Sequence, residues 1–487
     1  MQCNEGRLAV TINFNAILAW VGYFLAAYLL IIVFCYLVML LVALYRIKRN
    51  TRYERPMDLL SNNEFYSLGV SVLVPAYNEE SGIIQNVASL LNLNYKEFEI
   101  IVINDGSQDA TADVLIEQFS MKPVPDFNVT MHLETAEVES VFVSNLFPNL
   151  MLVNKANGGK ADALNCGINF SSMDYVCTVD GDSVLEKDSI KKVMRPFVLE
   201  GERIAAVGGS VELINENKVV DGVPDKQVEF SSNPLVAMQS IEYFRSFLIG
   251  RVALSEQNLM LICSGAFTVF EKDLLIRYGG LATSVIGEDM EVVVRLQRKM
   301  IEENIDKRIV HVPDAICYTE APETLKVLRR QRRRWHQGLL ESLWRHVRVT
   351  FNPRYHSLGL VAFPYFLVAE ALVPLVELLG FGYLIAGFFA GQVFLEFTLI
   401  LTVFFLLYAG LVNTMAVMLN AWQRDKYPDL SEITYVLGLS FTEAFWYKPL
   451  MLLWRLEGFY RFFVNRSDWG VMERKGFSAP EESKAVS

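Results

Sequence analysis

Several features that would steer the reading elsewhere are scarce or missing from this chain of 487 residues. Its six cysteines (Cys3, Cys35, Cys166, Cys177, Cys263, Cys317) form no CxxC pair and have no histidine at metal-ligand spacing. That excludes a disulfide scaffold or zinc ribbon and leaves small buried hydrophobes of a reducing compartment. No GxxxxGK[ST] run occurs, and Gly158-Gly159-Lys160 is too short to make one, so a Walker-type phosphate loop is excluded. No GxGxxG follows the first apolar strand, which removes a dinucleotide site. Basic residues are outnumbered, 44 against 55 acidic, for a net charge of -11, so there is no electrostatic footprint for nucleic acid. Charge of either sign is absent between Arg7 and Arg46. From Ser357 to Asn420 there is no Lys or Arg, and the only charges are Glu370, Glu377 and Glu396.

Those uncharged stretches indicate a membrane. Hydrophobic residues make up 52% of the chain while 20% are charged, the mixture expected of a large water-facing unit attached to several apolar helices. A bilayer core needs about 20 apolar residues, so Phe14–Tyr45 is long enough to span it with some tilt. It is too long for a secretory signal and no small-residue cleavage site follows. Arg46, Lys48, Arg49, Arg52 and Arg55 come next, and the positive-inside rule then puts the N-terminus outside and the following residues in the cytoplasm. Two further spans are expected at about 360–390 and 397–420, the first kinked by Pro364 and Pro374. Glu370 and Glu377 are costly in lipid and should face a polar path, although Glu370 could instead lie at the interface. Tyr435–Phe463 carries Glu443, Lys448, Arg455 and Arg461 among aromatics and reads as an interfacial or re-entrant helix as much as a span. Arg466, Arg474 and Lys475 favour a cytoplasmic C-terminus, consistent with one span before the water-facing unit and two after it. The expected organisation is 1–55, a membrane helix with a basic flank; 56–350, the cytoplasmic unit; 351–430, membrane helices; and 431–487, an interfacial helix and tail. Leu235–Leu254 is amphipathic, either a helix lying on the bilayer or a packed core helix.

Between Gly69 and Ala321 short apolar runs alternate with helical stretches: Val70–Val74, Glu99–Ile103, Leu150–Val153 and Tyr175–Val179 as strands, with Glu79–Leu91, Ala110–Phe119 and Lys160–Phe170 as helices. This pattern predicts an α/β unit with a parallel sheet covered on both faces. Ligands of such sheets bind at the carboxyl ends of the strands. Each run ends in a polar cluster: Pro75-Ala76-Tyr77-Asn78-Glu79, Asn104-Asp105-Gly106-Ser107-Gln108-Asp109, Asn154-Lys155-Ala156-Asn157-Gly158-Gly159-Lys160, and Asp180-Gly181-Asp182-Ser183. One such cluster is an ordinary helix-capping turn. Four in succession on one sheet edge suit a nucleoside diphosphate with a divalent cation. Asp180 and Asp182 bracket a single glycine, so a tight turn can aim both carboxylates at one hard cation, with diphosphate and water completing the shell.

In order, VPAYNEE, VINDGSQDAT, NGGKADALN, VDGDS, Gly287-Glu288-Asp289 and Gln331-Arg332-Arg333-Arg334-Trp335 resemble the processive membrane-embedded family 2 glycosyltransferases, the cellulose, hyaluronan, chitin and poly-N-acetylglucosamine synthases. The resemblance covers about 65–340 by motif. It implies a GT-A, Rossmann-like nucleotide-diphospho-sugar transferase domain, inserted between the transmembrane helices. It also implies a nucleoside site at Ala76, Tyr77, Glu79 and Asp105, with Asp105 at the uracil edge and Lys155 and Lys160 near the diphosphate. Lys160 read alone would be a solvated first-turn residue. By the same likeness Asp182 is a ligand of Mg2+ or Mn2+, and Asp180 contacts metal, sugar or phosphate. Asp289 is the general base beside Glu288, although both could simply be helix N-terminal charge. Ser264-Gly265-Ala266 resembles the acceptor-side loop, or is a turn between strands. Gln331, Arg334 and Trp335 are assigned to the acceptor and diphosphate, whereas Arg329, Arg330, Arg332 and Arg333 read as contacts to anionic headgroups. Trp469–Arg474 looks a little like a gating loop.

The implied activity is an inverting, processive β-glycosyltransferase of the inner plasma membrane, fed UDP-GlcNAc or UDP-glucose in the cytoplasm and passing its polysaccharide through its own helices. Its partners would be the UDP-sugar, the growing polysaccharide, membrane lipid and export or accessory proteins, with no nucleic acid. Non-processive transfer to a lipid-linked acceptor, and a non-catalytic sugar-nucleotide sensor or scaffold, are the alternatives. Gly287-Glu288-Asp289 differs from the GDD of hyaluronan synthases and the TED of cellulose synthases, which leans toward an N-acetylglucosamine polymer.

Overall fold

A computed structural model describes residues 14–60, 68–125, 127, 129–217, 219–220, 223–224, 230–391, 395–424 and 429–464. The Trp469–Arg474 segment and the basic tail lie outside the described residues. The strands are β1 (Val70–Ala76), β2 (Phe98–Asp105), β3 (Met121–Pro123), β4 (Val138–Ser144), β5 (Leu150–Lys155), β6 (Tyr175–Val179), β7 (Val184–Leu185), β8 (Ile204–Leu213), β9 (Val219–Val220), β10 (Val223–Pro224), β11 (Phe267–Glu271) and β12 (Arg308–Thr319). All but the β9–β10 pair form one sheet of ten strands in the order β3-β4-β5-β2-β1-β6-β11-β8-β12-β7.

The expected parallel unit is present as β5-β2-β1-β6. The whole sheet, however, is mixed, which corrects the all-parallel expectation. β11 lies antiparallel between β6 and β8, β3 and β4 extend the other side antiparallel, and β7 closes the far edge antiparallel to β12. β11 follows the helical stretch 234–256 and the ten-residue segment 257–266, and enters the sheet from the end opposite to both its neighbours. Both faces are covered, as the apolar runs require. Val70, Val72 and Val74 pack with Ile83, Val87 and Leu90 on one face, while Leu73, Ile101 and Ile103 pack with Leu164 and Ile168 on the other. Burial of such side chains contributes roughly 1.5–3 kcal/mol each.

Among the described residues two helices are long and apolar enough to cross a membrane, Ala16–Arg49 and Thr402–Gln423, or up to three if the pair Leu358–Ala371 and Val373–Phe389 is one broken span bent by 47°. The break falls just before Pro374, which cannot donate a backbone hydrogen bond. The predicted 435–463 segment is two helices, Leu430–Thr442 and Tyr447–Val464, neither of which meets the criteria for a span.

The amphipathic stretch is a helix, Pro234–Phe244, followed by a π-helical turn, Arg245–Arg251, and a short helix, Val252–Glu256. It is packed rather than lying bare on a bilayer. Leu235, Met238 and Ile241 meet Val436, Met451 and Trp454, and Leu248 and Ile249 meet Met39, Leu40 and Ala416. At the centre of this joint Arg245 donates to Asn413 (2.9 Å) and pairs with Glu443 (3.3 Å), and Asn413 donates to Ser440 and to Glu443, both at 3.0 Å. Arg424, near the end of the Leu395–Gln423 helix, pairs with Glu212 and donates to the Tyr318 hydroxyl on β8 and β12.

In the middle of β8 a Cβ on Gly209 would overlap the Phe267 ring and stand 2.8 Å from the Ala315 carbonyl oxygen. Gly209→Ala is therefore expected to cost about 1–3 kcal/mol through overpacking, seen as a lowered thermal midpoint of the detergent-solubilised protein.

Candidate active site

Because β5, β2, β1 and β6 run parallel and adjacent, their polar C-terminal clusters fall on one edge of the sheet. The turns there are held from both sides. Gly106 has φ 69°, and a Cβ on it would stand 2.9 Å from the Asn157 amide nitrogen, so the β2 and β5 turns touch backbone to backbone. The Asp105 carboxylate locks them. Its Oδ1 accepts from Lys155 Nζ (2.7 Å) and the Gly158 amide (2.9 Å), and its Oδ2 accepts from the Gly159 amide (2.8 Å) and Asn157 Nδ2 (3.3 Å). Lys155 is fully buried and also pairs with Asp162 at 2.6 Å. These two residues thus depart from their sequence reading. Asp105 spends its acceptor capacity inside the protein, and Lys155 is sealed beneath the turn rather than presented to a diphosphate. Ala76 is buried, Tyr77 is exposed, and Glu79 takes its backbone anchor from the Thr111 hydroxyl at 2.9 Å. A Cβ on Gly181 would stand 3.1 Å from the Pro75 carbonyl oxygen, so the Asp180–Asp182 turn sits directly against the end of β1.

Lys160 joins this edge to the second half of the site. Its Nζ is 2.5 Å from Asp180 Oδ1, 3.7 Å from Glu288 Oε1 and 3.4 Å from the Gly265 carbonyl oxygen. A Cβ on Gly265 would lie 3.3 Å from both Asp289 Oδ2 and Lys160 Nζ, which explains why a small residue stands there. Burial works against the Lys160 charge, yet Asp180, Glu288 and then Asp289 outweigh it and raise its pKa. Glu288 and Asp289 open the Glu288–Glu302 helix, where dipole and backbone amides favour negative charge. Burial nevertheless pushes Glu288 up to about 7, Lys160 opposing and Asp289 reinforcing the shift. Adjacent carboxyls are thereby set apart: Glu288 is buried, whereas Asp289 is partly exposed.

Gln331, Arg334 and Trp335 lie on the Leu325–Arg345 helix, with Trp335 42% exposed and so able to offer part of its ring. Gly338, one turn further on, meets Gly287 at backbone contact: a Cβ on it would stand 2.9 Å from the Gly287 nitrogen. Glu341 accepts from the Ile286 amide at 2.9 Å, and Glu291 is buried and held by Arg295 and His346. The Gly287-Glu288-Asp289 turn is therefore fixed by Gly338, Glu341 and Glu291, none of which the motifs singled out. The only sequence signal was a glycine inside an otherwise strong helix former run. Three arginines also depart from the headgroup reading. Arg329 and Arg333 pair with Glu457, both at 2.8 Å, and Arg332 pairs with Glu242 at 2.9 Å.

A continuous cavity of about 2700 Å³ starts at Lys160, Asp180 and Asp182, passes Ser264, Gly265, Glu288 and Asp289, then Gln331, Arg334 and Trp335, and continues among the apolar helices to Glu370, Glu377 and Tyr383. Glu370 and Glu377 thus both line the cavity, in company with Lys448 and Arg455. Ala76, Tyr77, Glu79, Asp105 and Lys155 are not among its lining residues. No group of three or more His, Cys, Asp or Glu side chains able to hold a metal is found among the described residues.

Glu288 has a measurable consequence. A carboxyl with its pKa raised from 4.5 to about 7 binds its proton more tightly folded than unfolded, so its contribution to stability is present below about pH 4.5 and lost as pH rises to about 7. Glu288→Gln is expected to flatten the fall in thermal midpoint between pH 5 and pH 8, read by fluorescence-detected melting at each pH.

The family profile described as "Glycosyltransferase like family 2" matches residues 68–338. Among curated proteins, the poly-beta-1,6-N-acetyl-D-glucosamine synthase of Staphylococcus epidermidis is 31% identical over 315 residues, covering 64% of this chain and 65% of that protein. The enzyme of the same name from Staphylococcus aureus strain COL is 30% identical over 297 residues, covering 61% of this chain and 60% of that protein. The matched region thus spans less than two thirds of either relative. Among solved structures, a mannosyltransferase from Pyrobaculum calidifontis in complex with GDP-Man and Mn2+ aligns with TM-score 0.48 and 16% identity, over 91% of this chain and 100% of that one. With more than half its length matched, the chain belongs to glycosyltransferase-like family 2 and is an enzyme with a GT-A-like mixed α/β fold.

Proposed function

We propose that the protein is an inverting, processive membrane glycosyltransferase that extends a poly-N-acetylglucosamine-type polysaccharide from UDP-GlcNAc on the cytoplasmic side and passes it into its own membrane helices. The observation that carries this reading is the single cavity running from Lys160, Asp180 and Asp182 past Asp289 and Trp335 to Glu370 and Glu377. A transferase that releases its product to water has no need of such a path. The choice of sugar leans on the Gly287-Glu288-Asp289 sequence and on the names of the two staphylococcal relatives.

In this reading the acceptor hydroxyl gives its proton to the Asp289 carboxylate as its oxygen attacks the anomeric carbon. The new C–O bond forms opposite the breaking bond to phosphate, UDP leaves with that electron pair, and an α-linked donor becomes a β-linkage. Lys160 is the cation beside the departing diphosphate, and its pairing with Asp180 and Glu288 keeps it charged. Arg334 and Gln331 flank the diphosphate, and part of the Trp335 ring stacks on the acceptor sugar. Ser264 and Gly265 leave room for that sugar beside Asp289.

The donor set fits Mg2+ or Mn2+. Hard cations of this kind are bound by one or two carboxylates plus substrate phosphates rather than by a full protein cage. Asp182 would hold the ion, with Asp180 able to turn to it from Lys160. Such an ion, when bound, neutralises charge on the leaving diphosphate. Ala76, Tyr77 and Glu79 at the end of β1 would contact the nucleoside, Asp105 and Lys155 shaping the turn below it. In this reading the basic run after Tyr45 faces the cytoplasm, so that the site works on the cytoplasmic side of the plasma membrane.

With UDP-GlcNAc and Mg2+ or Mn2+, the purified enzyme is expected to release UDP and to make long chains rather than single-residue adducts. Asp289→Asn should lower UDP release about 10²–10⁴-fold while UDP binding is kept. Release at the original rate would remove Asp289 from the base role, and single-sugar products would favour transfer to a lipid-linked acceptor.

A further inference from the structure

Trp335 does not sit alone on its helix. The Arg332 guanidinium lies over the indole, its central carbon 4.5 Å from the ring centroid, and the Tyr243 ring is 6.3 Å away, centroid to centroid. Arg332 is 5% exposed, and its buried Nε and Nη2 have no hydrogen-bond partner among the described residues. Its Nη1 donates to Glu242 Oε1 at 2.9 Å. Glu242 Oε2 in turn accepts from the Tyr447 hydroxyl at 2.7 Å. Three helices therefore meet at one carboxylate: Pro234–Phe244 supplies Glu242, Leu325–Arg345 supplies Arg332 and Trp335, and Tyr447–Val464 supplies Tyr447. Glu242 and Trp335 both line the cavity.

A buried guanidinium held by one carboxylate is sensitive to that partner. Without it the arginine's charge is uncompensated and the side chain swings toward water or another carboxylate. A cation over an indole also fixes the ring, since the attraction falls away once the charge leaves its face. Trp335 needs such fixing, because it is 42% exposed and a mobile ring loses much of its stacking contact.

We propose that Glu242 is a positioning residue for Trp335: by holding Arg332 against the indole, with Tyr447 bracing the carboxylate from the C-terminal helix, it keeps the exposed part of the ring turned to the cavity and thereby sets the affinity for the acceptor sugar chain. This rests on the reading that Trp335 contacts the acceptor. It gives the Tyr447–Val464 helix a role in substrate binding although none of the catalytic motifs lies on it.

The test is a set of acceptor and donor KM values measured on the full-length protein with a soluble N-acetylglucosamine oligomer and UDP-GlcNAc. Glu242→Gln, which keeps the shape and removes the charge, should raise the acceptor KM about tenfold and leave the donor KM within twofold. Glu242→Asp should recover most of the loss. Tyr447→Phe removes only the brace and should raise the acceptor KM about threefold, which keeps the test alive if Glu242→Gln does not fold. In a Trp335→Phe background, itself raised in acceptor KM, each change should have less than a twofold effect. Equal effects of Glu242→Gln in both backgrounds, or a wild-type acceptor KM for both Glu242→Gln and Tyr447→Phe, would overturn the positioning role. A wild-type acceptor KM for Trp335→Phe alone would instead overturn the acceptor site on which it rests.

Discussion

The charge cluster around Lys160 is the constraint on which the site depends. One ammonium touches the Asp180 carboxylate from the end of β6, the Glu288 carboxylate from the start of a distant helix, and the Gly265 carbonyl from the loop ahead of β11. A parallel sheet edge and an antiparallel addition are separate pieces of architecture, and this residue joins them. Three carboxyls as close as Asp180, Glu288 and Asp289 are tolerable because the Lys160 charge offsets them. Remove the lysine and three carboxyls face one another across a low-dielectric cleft. The same balance sets Glu288 apart from Asp289 and leaves one of two neighbouring acids exposed to whatever enters.

The second constraint is the union of the catalytic unit with the membrane helices. Gly287 against Gly338 brings the acidic turn onto the helix that bears Trp335, and a Cβ on Gly458 would stand 2.9 Å from the Arg333 carbonyl oxygen, so that helix is in turn seated on Tyr447–Val464. The polar joint of Arg245, Asn413 and Glu443 and the Arg424 contact to Glu212 and Tyr318 fix the remaining apolar helices to the sheet. The acidic turn, the Trp335 helix and the apolar helices are thus joined through groups in direct contact. The cavity that begins at Lys160 and Asp180 crosses this joint, with Glu370 and Glu377 lining its other end.

Much of this was legible in the sequence because the signals are local. Alternating apolar runs and helices fixed β1, β2, β5 and β6, and a parallel edge then gathers the ends of those strands whatever the rest of the sheet does. The uncharged stretch before Arg46 and the Lys- and Arg-free stretch from Ser357 to Asn420 marked apolar helices for the same reason. What was not legible depends on partners far along the chain. Arg329 and Arg333 look like headgroup contacts until Glu457, 128 and 124 residues away, is brought beside them. Asp105 and Lys155 are 50 residues apart and satisfy each other, which no reading of either turn alone reveals. The antiparallel direction of β11 is likewise set by its pairing with β6 and β8, strands about 90 and 60 residues earlier, and not by its own five residues.

A structure of the full-length protein with UDP-GlcNAc and Mn2+ tests the central claim most directly. The metal is expected beside Asp182, the diphosphate between it and Lys160, and the anomeric carbon on the side of the cavity where Asp289 faces Trp335. A donor seated in a hollow that does not communicate with Asp289, or a metal held away from Asp182, would contradict it.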